Sequence, residues 1–148
     1  MWNLFKRNKK REDGFTLVEV MVTMVIIGLL TTFVVFNVLP AQDKAMAQKA
    51  KADIRNIENA LEQYRLDMLD YPEQSAGLEA LKTLPAGNPN SARYRPGGYV
   101  KFLPKDPWGR DYIYVYPGEN GLVDISSLGS DGQPGGEGLA ADIVSWEQ

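Results

Sequence analysis

From Phe15 to Leu39 the chain carries one ionisable side chain, Glu19. Around it lies an apolar run that continues from Val20 as VMVTMVIIGLLTTFVVFNVL. Roughly 20 such residues, at about 1.5 Å each, match the thickness of a bilayer core of about 30 Å. The run therefore predicts a transmembrane helix over 15–39. Lys6, Arg7, Lys9, Lys10 and Arg11 precede it against Glu12 and Asp13, so the flank has a net charge of +3. The positive-inside rule places that flank in the cytoplasm and everything after Leu39 on the far side of the membrane. The competing reading is a removable secretory signal peptide. The run is longer than a usual signal core, and VLPAQDKAMAQKA supplies only a loose small-residue cleavage site.

With the membrane segment set aside, the 148-residue chain leaves material for one small soluble domain. It contains no Cys and no His, which excludes a disulfide framework, thiolate metal sites and the commonest general base. Composition does not exclude Asp and Glu pairs for catalysis. Beyond Gly14 there are 17 acidic residues against 11 basic ones, a net charge of −6. An acidic body of this kind argues against nucleic acid as a partner.

Pro40 is expected to bend or interrupt the first helix, because it lacks a backbone donor and its ring crowds the preceding turn. Helix-forming residues return over 41–70, which is predicted as the amphipathic second part of one long helix whose first part is the membrane segment. There Ala50, Ile54, Ile57, Leu61, Tyr64 and Met68 form one apolar stripe at spacings of three and four. Lys49, Lys51, Asp53, Arg55, Glu58 and Glu62 occupy its other faces, and Pro72 stops it. Over 73–98 the sequence predicts a short helix, EQSAGLEALKTLP, carrying Leu78, Leu81 and Leu84, and then a loop. Antiparallel strands are expected within 99–148, at YVKFL, DYIYVYP and GLVDISSLG. A long helix against a small antiparallel sheet makes an α+β domain over 40–148. The connecting LPKDPWGRDY reads as a stiffened turn whose Trp108 plugs the sheet or the helix face.

Near the carboxyl end, SLGSDGQPGGEGLAADIVSW combines five glycines between Gly129 and Gly138 with Asp131, Glu137 and Asp142. Ordering such a loop costs about 1–2 kcal/mol per residue, so something must hold it. Its carboxylates would repel a phosphate. Carboxylates together with backbone carbonyls suit a hard cation such as Ca²⁺, although the spacing is not that of an EF-hand. On residue types alone, a merely solvated acidic loop is the favoured reading over a calcium site.

Basic leader, Gly14-Phe15, TLVE and an unbroken apolar helix together resemble the type IV prepilin and pseudopilin signature. The P-K-D-P-W-G-R-D-Y run at 104–112, with DISSLGSDG, ADIVSW and the DYP at 70–72, is similar to the major pseudopilins of type II secretion systems. The resemblance spans nearly the whole chain. It implies a cleaved leader over 1–14, a prepilin peptidase that cuts after Gly14, and N-methylation of Phe15. It implies a type IV pilin-like fold with a calcium-binding carboxyl-terminal loop. Carried over by position, the implied calcium ligands are Asp131, the carbonyls of Leu128 and Gln133, and Asp142, with Ser130 and Glu137 less firmly placed. Implied partners are copies of the chain itself in a homopolymer, minor pseudopilins and an inner-membrane assembly platform.

A charged acid inside hydrocarbon costs a few kcal/mol, so Glu19 needs a reason. Side-by-side helices would bring Glu19 of one subunit to the amino group of a neighbour's Phe15, and the resemblance implies this pairing. The simpler alternative is an acid that snorkels to the headgroups. Three functions follow: a pseudopilus subunit in the periplasm, the major pilin of an adhesive or motility type IV pilus, or a membrane-anchored enzyme or ligand-binding domain. The lack of a carboxyl-terminal cysteine pair and the DPWG run weigh against the second. The lack of His, Cys and a nucleophile beside a base weighs against the third.

Overall fold

The computed structural model describes residues 14–147, with side chains left undescribed over 35–40. One α-helix, α1, runs from Leu17 to Met68. The chain falls into two compact units, divided between Leu39 and Pro40. As expected, the segments 15–39 and 41–70 belong to one long helix, and helical hydrogen bonding runs through Pro40 without the interruption a proline invites. Proline's fixed φ is itself helical, and the loss is one intrahelical hydrogen bond plus local crowding, about 3 kcal/mol. A 52-residue helix sustained on both sides absorbs that.

Within the second unit, the predicted stripe of α1 is the core. Ala50, Ile54, Ile57, Leu61, Tyr64 and Met68 are all 2% exposed or less. Burial of each of the larger aliphatic side chains contributes about 1.5–3 kcal/mol relative to exposure. Tyr114, Ile125, Ile143 and Leu81 close over the stripe. The helix ends four residues before Pro72, where Leu69 adopts a left-handed φ of 72°. Its last carbonyls are capped from elsewhere in the chain. Asn90 Nδ2 donates to the Met68 carbonyl at 3.0 Å and Arg93 Nε to that of Asp67 at 3.0 Å. Asp53, predicted on a solvent face, is mostly covered and accepts the Tyr112 hydroxyl at 3.0 Å.

Three antiparallel strands form the sheet in the order β1 (Ile113–Val115), β2 (Asp124–Ser127), β3 (Ile143–Val144). Tyr114 stands opposite Ile125, and Ser127 opposite Ile143. The tyrosines of DYIYVYP turn inward: Tyr112 and Tyr114 are buried while Ile113 is exposed. Burial raises the Tyr114 hydroxyl above its ordinary range, and that hydroxyl donates to the Pro72 carbonyl at 2.8 Å. A tyrosine is tolerated here because its polar tip finds a buried acceptor. Gln74 lies along the outer edge of β1, with Nε2 donating to the Tyr114 carbonyl at 2.9 Å and Oε1 accepting from Tyr116 N at 2.7 Å. One amide side chain thus takes the place of a neighbouring strand and blunts the edge.

Two predicted elements differ. The short helix over 73–85 is a 3-10 turn, Gly77–Leu81, because Gly77 enters it with φ of 57° and Pro85 follows closely. The expected strand at YVKFL is absent. Tyr99 N and Val100 N both donate to the Leu81 carbonyl, at 2.7 and 3.3 Å, so this segment hangs on the 3-10 turn. Tyr99 packs edge-on against Tyr64 and Tyr94, with both ring centroids 5.3 Å away. The third strand is Ile143–Val144, in the ADIVSW stretch.

Candidate functional site

The amino-terminal site begins at Gly14, where an added Cβ would meet open space and the backbone is not left-handed. The fold itself does not require glycine there. Phe15 is 82% exposed. Thr16 precedes the first turn of α1, and its hydroxyl accepts from Glu19 N at 3.2 Å. Thr16-Leu17-Val18-Glu19 is therefore half of a capping box, a pattern legible as T-x-x-E but missed in the sequence reading. Glu19 lies in the first helical turn, where the helix dipole favours negative charge. This reduces the isolation of the carboxylate without supplying a partner. Leu17–Val34 has a mean hydropathy of 2.3 and is uncovered along its whole length. By length and composition it is able to cross a bilayer.

The second site is the loop between β2 and β3, and its base is the turn at 104–110. Asp106, buried, accepts from Trp108 N at 3.1 Å and Arg110 N at 2.7 Å through Oδ1, and from the Ser127 hydroxyl at 2.7 Å through Oδ2. That carboxylate ties the proline-rich turn to β2. Trp108 packs partly buried against the core, as the sequence predicts.

Beyond β2 the loop is folded on itself. Gly132 N donates to the Leu128 carbonyl at 3.2 Å and Gln133 N to Asp131 Oδ1 at 3.0 Å. Gly135 N donates to Asp142 Oδ2 at 2.9 Å, and Asp142 N returns a bond to the Gly135 carbonyl at 3.1 Å. Ser130 Oγ donates to the Leu139 carbonyl at 3.0 Å, while Glu137 is exposed. Glycine is required at close approaches: at Gly136, with φ of 85°, a Cβ would come within 2.4 Å of the Ala140 carbonyl oxygen.

The loop therefore gathers Leu128, Asp131 and Gln133 in one turn and returns Asp142 to its far end. Asp142 Oδ1 is buried and has no hydrogen-bond partner. A buried carboxylate oxygen left single is costly unless something else meets it. Among the described residues no three acidic side chains cluster closely enough to hold an ion by themselves. Any cation here would draw on backbone carbonyls as well. Such an oxygen-only donor set fits a hard, flexible cation.

The turn at 119–124 is held by another carboxylate. Asp124 accepts from the backbone amides of Glu119, Asn120 and Gly121 at 2.8, 2.9 and 3.0 Å. Burial alone would raise its pKa, but these donors reverse that and hold it below the ordinary carboxylate value. This charge is satisfied locally and belongs to the fold.

A helix with an apolar, uncovered first part behind Gly14-Phe15, and a second part packed on a small antiparallel sheet, defines a type IV pilin-like subunit. The chain belongs to the type II secretion system protein G family, whose model matches residues 37–146. Residues 9–35 match the prokaryotic N-terminal methylation motif. The type II secretion system core protein G of Vibrio cholerae is 54% identical over 140 residues, covering 95% of both chains. That of Pseudomonas aeruginosa is 45% identical over 139 residues, covering 94% of this chain and 98% of the relative. The crystal structure of the major pseudopilin of the type 2 secretion system of enterohaemorrhagic Escherichia coli is similar with a TM-score of 0.65 and 41% identity. It covers 76% of this chain and 96% of its own. The apolar helix and the family together fit a membrane-anchored protein.

Proposed function

We propose that this chain is the repeating subunit of a type II secretion pseudopilus. It is anchored in the inner membrane with residues 40–148 in the periplasm, and it polymerises into a filament that drives folded proteins across the outer membrane. It works by assembly and carries out no bond chemistry. The observation that carries this reading is the uncovered helix Leu17–Val34 behind a methylation motif: a segment so apolar needs lipid before assembly and neighbouring helices after it.

Processing makes the switch. A prepilin peptidase cuts after Gly14 and methylates Phe15, and the glycine that folding does not need serves the peptidase's narrow site. The new amine of Phe15 then pairs with Glu19 of a neighbour, away from water, and so favours one axial register. Minor pseudopilins and an inner-membrane platform are the further partners. In cells with the peptidase, the mass of the chain should correspond to loss of 1–14 plus one methyl group, and filaments should form. Without it, the full-length chain should stay in the membrane. Filaments formed equally well from uncut chain would contradict the reading.

The carboxyl-terminal loop serves as a calcium site in this proposal. Asp131 and Asp142 would supply carboxylates, Leu128 and Gln133 carbonyls, with Ser130 and Glu137 as further candidates. The ion would tie the loop and β3 to the sheet, as a disulfide would in a chain that had cysteines. The unpartnered, buried Asp142 Oδ1 supports it. EDTA should lower the melting temperature, and Asp131→Asn should remove most of that response. A melting temperature indifferent to chelation would contradict calcium.

A further inference from the structure

Arg110 is the last basic residue of the chain, and seven acidic residues follow it. Its guanidinium reaches into the loop between β2 and β3: Nη2 donates to the Gly129 carbonyl. A Cβ added at Gly132, where φ is 69°, would stand 2.5 Å from Arg110 Nη1, so the guanidinium lies directly against the loop backbone. The head is aimed from the other end as well. Arg110 N is fixed to Asp106 Oδ1, Nε lies 3.5 Å from Asp106 Oδ2, and the guanidinium carbon sits 5.9 Å from the centre of the Trp108 ring. Asp106 is in turn bonded to Ser127 at the end of β2.

We propose that Arg110 is a calcium-independent latch for this loop, a positioning residue that keeps it folded when no ion is bound. A glycine-rich acidic loop has two obstacles to order, the entropy of its backbone and the mutual repulsion of its carboxylates. The guanidinium offsets both, setting positive charge against a stretch, 111–148, whose charged residues are all acidic, and offering a planar donor to a loop carbonyl. A bound cation would relieve the same repulsion and engage the same class of oxygen. Latch and ion are thus partly redundant, and each matters most when the other is missing. The subunit could then cross to the periplasm and meet calcium with its loop already formed.

The inference rests on the calcium reading for its conditional part and on geometry alone for the latch. The test uses the full chain in detergent micelles, as wild type, Arg110→Gln and Arg110→Lys, each with excess calcium chloride and with EDTA. Melting temperature and the rate of protease cleavage between 128 and 142 are measured. Arg110→Gln should lose more melting temperature in EDTA than in calcium, and its loop should be cut several-fold faster than wild type in EDTA but at the wild-type rate in calcium. Arg110→Lys, which keeps the charge, should fall between. With a wild type that responds to chelation, equal losses in both conditions would overturn the latch, as would loop cleavage no faster than wild type in EDTA. If the wild type itself ignores chelation, the calcium reading fails separately. Faster cleavage of the Arg110→Gln loop would then still support the latch, and unchanged cleavage would overturn it.

Discussion

Replacing Asp106 by alanine tests how the turn at 104–110 is held to the sheet. Its carboxylate is 1% exposed and accepts three hydrogen bonds, from Trp108 N, Arg110 N and Ser127 Oγ. Bonds to a charged acceptor contribute about 1.5–3 kcal/mol each, but the two turn amides partly recover by turning to water. Ser127, itself 1% exposed, has no such recourse. The expected loss is about 3–5 kcal/mol, a large part of the roughly 5–15 kcal/mol that holds a domain together. Asp106→Asn keeps the volume and one acceptor oxygen and should cost less, about 1–2 kcal/mol. Urea unfolding of the 40–148 unit, followed by fluorescence of Trp108 and Trp146, measures both. The denaturant slope should be unchanged, since the core that unfolds is the same. A loss below about 1 kcal/mol for the alanine variant would mean that proline and glycine shape the turn without the carboxylate.

Two further outcomes concern titration. Asp124 has its pKa held below the ordinary 3.8 by backbone donors, so its contribution is present above the unfolded carboxylate value and is lost as pH falls through the folded one. Acid unfolding below about pH 4 should therefore be shallower in Asp124→Asn than in wild type, and identical pH profiles would contradict this. Tyr71 donates to Glu62, whose pKa is lowered first by that bond and then by Arg65. In Tyr71→Phe, NMR titration of the Glu62 carboxyl should move up toward 4.5, and an unmoved value would count against the bond.

The periodic parts of the fold were legible in advance. The stripe from Ala50 to Met68 is the core because helical spacing has no other way to bury it. What spacing does not reveal is how polar groups are satisfied at a distance. Tyr114 of β1 and Tyr112 just before it face inward, where Pro72 and Asp53 accept their hydroxyls from 42 and 59 residues away. YVKFL has the composition of a strand but its amides are claimed by Leu81, while the two-residue β3 is too short to announce itself. At the amino terminus the motif containing Gly14, Phe15 and Glu19 was legible because it depends on order along the chain, and residues 9–35 match the N-terminal methylation motif. In the carboxyl-terminal loop, the carboxylates of Asp131 and Asp142 were visible in the sequence, while the backbone hydrogen bonds they accept from Gln133 and Gly135 were not. Nor was the place of Arg110, since nothing in DPWGRDY says that its guanidinium turns toward Gly129.

The central claim is that the amino-terminal helix is an assembly joint set by one acid. Glu19→Ala, expressed with the prepilin peptidase, measures this directly through membrane fractionation and filament counts on the same cells. The expected result is a processed chain that inserts normally and forms no filaments. Filaments of normal number and length from that variant would contradict it.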